Sequence, residues 1–451
     1  MSKNEIQRRE FLKRMGIGSI ALGAGLGIPK VLAETDNGFL VENKEQYGMT
    51  PVELLSGKEF PYQIKPDILK NMPNRMTVFS RDGWDPVRRE ERKKVREAQG
   101  GRSMFQINMI DKKGKSPNQT RLDYALMQAS WATAHMDPFY NWETQSYSIK
   151  QLAEFGKWDP SDNDLSWEEA SVALKHASLF YGASLAGIAK YNPLWVYDEY
   201  IHAQEGSNRK LIPENISNVI ALAFEEDYDG ICNSPGRLAS AATGDGYSRM
   251  AVTAHKVAEF IRALGYQAIP AGNGTALSIP IAIDAGLGEL GRNGLLVTPK
   301  YGPRVRIAKV FTDMPLVPDP PIRFGVKEFC DSCMICAKDC PSGSISVDEQ
   351  TWEGKSVSNS NGAKKWYIQP EPCNDYNGFS CSNCKRNCPF NKPNNSWIHK
   401  LIRDNINLKS KALDKIMVKM DAASGYGVEV QASEFWEKDG KASITSRDPQ
   451  A

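Results

Sequence analysis

Twelve residues, Cys330 to Pro341, constrain this chain more than any other stretch: they read CDSCMICAKDCP. Their cysteines fall at the C-x2-C-x2-C-x3-C-P spacing, in which three thiolates of a tight loop face one iron–sulfur cluster and the fourth leaves the loop to ligate another. A second set is therefore expected nearby. Cys373, Cys381, Cys384 and Cys388, followed by Pro389, supply it, with the first gap stretched to seven residues. The crossed pattern assigns Cys330, Cys333, Cys336 and Cys388 to one 4Fe-4S cluster and Cys340, Cys373, Cys381 and Cys384 to the other. Disulfides and four-thiolate zinc sites are the alternatives for eight cysteines. Neither calls for interleaved spacing with a proline after each last cysteine, and thiols packed this closely are poorly placed for separate bridges. The ninth cysteine, Cys232, stands alone and reads as a buried small residue or a loop thiol.

At 451 residues the chain is too long for a simple ferredoxin, and ordinary domain sizes divide it into two or three units. Its 41% hydrophobic and 24% charged composition allows a large core, and a net charge of +2 leaves no footprint for nucleic acid. The N-terminus carries Arg8-Arg9-Glu10-Phe11-Leu12-Lys13, then an uncharged run from Met15 to Ile28 and small residues near Ala33. This is the pattern of a twin-arginine export signal over residues 1–33. The run falls short of the roughly 20 apolar residues that span a bilayer; an amphipathic N-terminal helix is the alternative. Residues 1–33 hold six Lys/Arg and two Asp/Glu, so their removal takes +4 from +2 and leaves −2. Twin-arginine transport carries folded proteins, which suits metal clusters assembled in a reducing cytoplasm.

Residues 34–140 are polar and weakly periodic, and read as loops and helices wrapped over a core, with Arg88 to Arg96 as a solvated charge run. Met76 to Ser80, with Trp84 after it, reads as an extended piece that lines a pocket or packs on the core. Helices are expected over Leu122–Met136 and from Trp167 to Gly182, the latter starting near Ser166. Residues 141–322 read as a core of mixed α and β structure. Ile216 to Phe224 is an apolar run suited to a buried strand, and Ser248 to Leu264 an amphipathic helix ended by Gly265. A short strand around Gln267 to Ile269 leads to a turn at Gly272-Asn273-Gly274. Gly286, Gly288, Gly291 and Gly294 then form a glycine-rich loop, which brings backbone close to a neighbour or makes only tight turns. Strands are expected at Leu295–Thr298 and Arg304–Thr312. Residues 323–395 hold the cysteines, and 396–451 return to the core through Trp397 to Ile406 and end in a loose tail.

The export signal, the segment from Gly246-Tyr247-Ser248 through AGLGELGRNGLLVTPKYGPRVRIAKVFTDMPL, and the altered double ferredoxin motif together resemble the respiratory reductive dehalogenases. The wording is most like the branch acting on small chloroalkanes such as chloroform and trichloroethanes. The resemblance implies an α+β fold: a nitroreductase-like α/β sandwich holding a base-off corrinoid, and a ferredoxin-like domain with two 4Fe-4S clusters. It implies removal of chloride from organohalides as the terminal step of organohalide respiration. The expected partners are a small integral membrane anchor and a membrane electron donor such as a quinol chain, on the outer face of the cytoplasmic membrane. By motif, the proton-donor tyrosine falls on Tyr247, its partner arginine on Arg306 and the pocket asparagine on Asn273. Ser278, Gly286, Gly288, Gly291 and Gly294 are the expected corrinoid contacts.

The residue types suit that chemistry. A carbon losing halide needs a proton from a group that survives beside a strong reductant, and a guanidinium beside a phenol favours release of its proton. Tyr247 is expected just before a helix, whose N-terminus would act in the same sense. Arg306 alternates with Val305 and Ile307 on a strand and should point to the opposite face. Two other readings fit parts of the chain: a cobalamin-dependent epoxyqueuosine reductase, disfavoured by the export signal, and a plain iron–sulfur electron-transfer subunit. The second leaves roughly 290 residues ahead of the first cluster motif without a purpose.

Overall fold

A computed structural model describes residues 30–35, 38–42, 47, 50, 52–55, 59–98, 126, 130, 157–163, 165–198, 212–377, 381–391, 411–423 and 426–437. The twin-arginine motif, most of the expected helix over Leu122–Met136, the segment Trp397–Ile406 and the tail beyond Glu437 lie outside the described residues.

Strands β1 (Lys30–Thr35), β2 (Gly38–Glu42) and β3 (Val52–Leu55) form an antiparallel meander, so the N-terminal region contains a sheet as well as the expected loops and helices. The expected cleavage residues Val31 to Ala33 lie in β1, an edge strand. Further along come β4 (Leu185–Lys190), β5 (Asn218–Glu225), β6 (Ala268–Ala271), the short pair β7 (Glu289–Leu290) and β8 (Leu296–Val297), β9 (Val305–Thr312) and β10 (Ile322–Arg323). β10 pairs with β3 and so ties the start of the cysteine-rich segment to the N-terminal sheet.

The core is a four-stranded sheet in the order β4-β5-β9-β6, antiparallel throughout. β5 is buried from Asn218 to Phe224 because both its faces are covered. Val219, Ala221 and Ala223 meet one apolar cluster, and Ile220, Leu222 and Phe224 meet the other. This two-sided burial is why the sequence shows a continuous apolar run rather than alternation. Each fully buried aliphatic side chain here is worth about 1.5–3 kcal/mol.

Helices α1 (Val78–Trp84) and α2 (Pro86–Ala98) belong to the N-terminal region. α3 (Trp167–Phe180), α4 (Tyr228–Cys232), α5 (Arg237–Ala263) and α6 (Ser278–Asp284) belong to the core. Ser166 caps α3 in a reciprocal box with Glu169. α5 packs Met250, Ala254, Val257 and Ile261 on one sheet face, while Ile281 and Ile283 of α6 pack on the other. Cys232 is buried at the end of α4.

Three expectations are corrected. α5 starts at Arg237, so Tyr247 lies inside a 27-residue helix and receives no assistance from a helix N-terminus. Gly244 and Gly246 disguise its first turns as a loop; Gly246 is there because a Cβ would come within 2.9 Å of Arg306 Cγ. Met76 to Ser80 is not extended: Thr77 caps α1, which begins at the next residue. The basic run of α2 is not wholly solvated, since Arg88 is 1% exposed and clasps Asp375 at 2.6 and 2.9 Å and Asp82 at 3.0 Å.

The cysteines sit on or beside short helices: α7 (Val326–Cys333), α8 (Ile335–Lys338), α9 (Pro370–Asn377) and α10 (Asn383–Arg386). Met334, at φ +56°, breaks α7 from α8 so that Cys333 and Cys336 turn toward one cavity. α11 (Lys411–Ala423) buries Met417 in the same apolar cluster as Phe329 of α7, and α12 (Ala432–Glu437) follows.

Candidate active site

Four of the eight thiols meet at one cavity, in the combination that the crossed pattern assigns to the first cluster. Cys330, Cys333, Cys336 and Cys388 line one cavity together with Gly291, Arg292 and Phe390. Cys373, Cys381 and Cys340 lie near enough for their charges to be felt by one another, and Cys384 feels Cys381 and Cys373 together with Cys336 of the first set. Among the described residues no three His, Cys, Asp or Glu converge on a single-ion point. Thiols spread around a void suit a multi-iron cluster better than zinc. Burial pushes the Cys336 thiol up to about 11, so four thiolates around that cavity need the positive charge that iron brings.

The glycine-rich loop is the wedge between these clusters and the rest of the site. Arg292 donates from Nε to the Cys330 carbonyl (3.0 Å) and from Nη1 to the carbonyls of Ser346 and Asp348 (2.9 and 3.0 Å). Its guanidinium stacks on Trp366, 4.4 Å from the ring centroid. Asn293 donates to the Cys384 carbonyl at 3.3 Å. The sequence pointed to the glycines and missed Arg292, whose buried cation beside a thiolate set is the informative feature.

A cavity of about 830 Å³ opens between the core sheet and the cysteine-rich segment, at the upper end of the roughly 300–1,000 Å³ common for small-molecule sites. Its walls come from Tyr62 and Phe79 of the N-terminal region, Asn273 and Arg306 of the core, and Ser358 and Trp366 of the cysteine-rich segment. Ser278 and Gly294 line it. Gly286 and Gly288 do not: they let backbone pass close to the carbonyls of Pro320 and Val297. Gly291 lines the first cluster cavity instead. The cavity is large and mainly apolar, and Trp366 Nε1 is buried with no hydrogen-bond partner among the described residues. A broad cofactor with peripheral acceptors, as a corrinoid is, fits those two facts.

At the cavity edge, Asn273 Nδ2 and Arg306 Nη1 both donate to the phenol oxygen of Tyr247, at 2.8 and 3.3 Å. The Arg306 guanidinium also lies 4.6 Å from the Tyr247 ring centroid. Arg306 faces the α5 side of the sheet, as strand alternation predicts. Ser278 donates to Asn273 Oδ1 at 3.2 Å and accepts from Lys309 Nζ at 2.7 Å. Lys309 is fully buried and also bonds the carbonyls of Gly272 and Ala276, so it pins the turn that carries Asn273. Burial lowers its ammonium to about 7. Glu226, wholly buried, accepts from Arg306 Nε (3.1 Å), Thr243 Oγ1 (3.0 Å) and Lys385 Nζ. Burial works against its charge, but the Lys385 and Arg306 cations overcome this and hold the carboxyl below its ordinary value. Glu226, Lys309 and Lys385 carried no motif and were missed.

A 4Fe-4S dicluster domain model matches residues 329–392. The tetrachloroethene reductive dehalogenase of Sulfurospirillum multivorans is 32% identical, covering 97% of this chain and 94% of that protein. Its namesake from Desulfitobacterium hafniense is 37% identical over 65% of this chain and 60% of its own length. The solved structure of the catabolic reductive dehalogenase NpRdhA shares the fold, with a TM-score of 0.60 at 21% identity. It covers 83% of this chain, which spans about half (49%) of that one. By its near-full-length match and its paired thiol sets, this chain belongs to the reductive dehalogenases, oxidoreductases that work with a corrinoid and two 4Fe-4S clusters.

Proposed function

We propose that the chain removes chloride from small chlorinated hydrocarbons of one or two carbons, as the terminal reductase of a respiratory chain, with Tyr247 as proton donor. The observation that carries this is the pair of donors, Asn273 and Arg306, aimed at one phenol oxygen beside the cavity. The reaction balances as R–Cl + 2e⁻ + H⁺ → R–H + Cl⁻. A bound corrinoid supplies low-valent cobalt, the reductant for the carbon–chlorine bond. The protein's part is to hold substrate against it, admit electrons one at a time from the cysteine-rich segment, and deliver the proton. Tyr247 gives its hydroxyl proton to the carbon that has lost halide, and the two donors stabilise the oxygen as charge develops on it. Water then returns the proton to the phenol.

The first relatives are named for tetrachloroethene, a two-carbon substrate. Chlorinated methanes and ethanes are the finer proposal, supported by the wording of the sequence. The twin-arginine motif supports export, and no helix among the described residues is long and apolar enough to cross a membrane. A small integral membrane partner would then hold the enzyme on the outer face and pass it electrons.

The test is reconstitution with iron, sulfide and cobalamin, then a panel of chlorinated methanes, ethanes and ethenes with a low-potential dye. Tyr247→Phe keeps the ring, so cobalt and iron content should hold while turnover falls by roughly 10²- to 10⁴-fold, the usual worth of general acid catalysis. Near-normal turnover at full loading would remove the assignment. Arg306→Lys keeps charge but loses the planar fork, and partial loss is expected.

A further inference from the structure

Glu226 has no place in the chemistry just described, yet three elements spend polar groups on it. It follows the last residue of β5, an inner strand of the core sheet, and is 0% exposed. Thr243, four residues before Tyr247 on α5, presents its hydroxyl on the same helix face. Arg306 comes from β9 with Nε on the carboxylate and Nη1 on the phenol oxygen, so one guanidinium bridges the two. Lys385 comes from α10 of the cysteine-rich segment, is 5% exposed, and puts Nζ on the other carboxylate oxygen. Its neighbour in sequence is Cys384, a member of the second thiolate set.

A surface ion pair would mean little, because solvent screens exposed charges and their side chains lose freedom on pairing. This one is buried, and a guanidinium shared between a carboxylate and a phenol is held in one orientation only while the carboxylate is held too. The unbroken contact chain runs Tyr247, Arg306, Glu226, Lys385, and ends beside a cluster ligand.

We infer that Glu226 is the positioning residue that fixes Arg306 against Tyr247, and that Lys385 makes this fixing depend on the loop holding the second cluster. This rests on the reading of Tyr247 as proton donor. The consequence is that the proton-delivering group is set in place only when the cluster loop is seated against the core. It also makes the charges of Glu226 and Lys385 felt by that cluster.

The test uses reconstituted holoenzyme and four variants: Glu226→Gln, Lys385→Met, Lys385→Arg and the double variant Tyr247→Phe/Glu226→Gln. With iron and cobalt full, Glu226→Gln and Lys385→Met should each lower kcat by roughly 10- to 100-fold with KM changed less than about threefold, because an interaction made in the transition state is lost. Lys385→Arg should recover most of the rate. In an EPR-monitored redox titration, one cluster should shift to higher potential in Glu226→Gln and to lower potential in Lys385→Met. A merely structural role would not give shifts of opposite sign. Adding Glu226→Gln to Tyr247→Phe should cost little further, because both act through one group.

Normal kcat and unmoved potentials in both single variants, with Tyr247→Phe impaired, would overturn the inference and leave the proton donor standing. An unimpaired Tyr247→Phe would remove the donor and the inference with it. If Glu226→Gln fails to hold its cofactors, Thr243→Val serves: it removes one hydrogen bond and leaves the charges, so a reduced kcat at unchanged potential is expected, and a normal kcat overturns the inference.

Discussion

The core sheet and the cysteine-rich segment bury their contents by opposite means. β5 and β9 pair over eight residues each and hide apolar side chains on both faces, so this sheet closes with protein groups alone. The cysteine-rich segment has helices of four to eight residues, below the length at which helices sustain themselves. Its interior is lined by thiols that repel one another when ionised. The difference teaches that one half carries its stability in its sequence, while the other takes much of it from iron, as small metal-dependent domains do. Between them lies the cavity.

The sharpest break in that comparison is Cys336→Ala. One cluster signal should disappear, roughly half the iron should be lost and turnover should fall to background, because three thiolates beside solvent do not keep a cluster. Full iron and an unchanged EPR spectrum would show that Cys336 is not a ligand. Iron removal by chelation should likewise expose the cysteine-rich segment to protease while β4, β5 and β9 stay protected; simultaneous cleavage of both would erase the contrast.

Smaller is Ile220→Ala, which opens a void between β5 and α5 where Ile220 is wholly buried. A loss of about 2–5 kcal/mol in unfolding free energy is expected, with iron content intact well below the melting temperature. Iron shed in proportion to lost stability would mean that the halves are not separable.

Smallest is a change at their boundary. Glu289, on β7, accepts from the backbone N–H groups of Phe324 (2.6 Å) and Val326 (3.3 Å), where the cysteine-rich segment begins. Burial pushes its carboxyl up to about 7, more than those backbone bonds pull it down. Below the unfolded value both states hold the proton and the contribution is fully present. As pH rises from there through about 7 the unfolded chain ionises first, and stability on the order of 3 kcal/mol or less is lost. Glu289→Gln keeps an acceptor oxygen and removes that loss, so its melting temperature should fall less than the wild type's between pH 5 and pH 8. Parallel curves would show that Glu289 does not titrate in this range.

The same contrast explains what could be read from the chain. The thiol sets were legible because each ligand lies within a few residues of another, and local spacing survives without a fold. β5 was legible as a continuous apolar run, and α3 and the apolar stripe of α5 from helical periodicity. The start of α5 was not, since Gly244 and Gly246 look like a turn until Arg306 is seen against Gly246. Arg88 was placed with exposed neighbours because its partner, Asp375, is 287 residues away. Glu226, Lys309 and Lys385 are single charges in ordinary surroundings, and only the folded chain reveals that all three are buried. Tyr247, Arg306 and Asn273 entered through resemblance, because composition alone makes each an unremarkable surface residue.

Arg292 stacked on Trp366 has a consequence for traffic through the molecule. Both side chains are 2% exposed, with the first thiolate cavity on one side and the large cavity on the other. Packed side chains of this kind are transparent to a tunnelling electron and opaque to a hydrated proton. Tyr247 lies away from this pair, at the cavity edge, where Asn273 and Arg306 donate to its oxygen. On the proposed role of Tyr247 as proton donor, the proton would reach the substrate from one side of the site and the electron, passing this packed pair, from another.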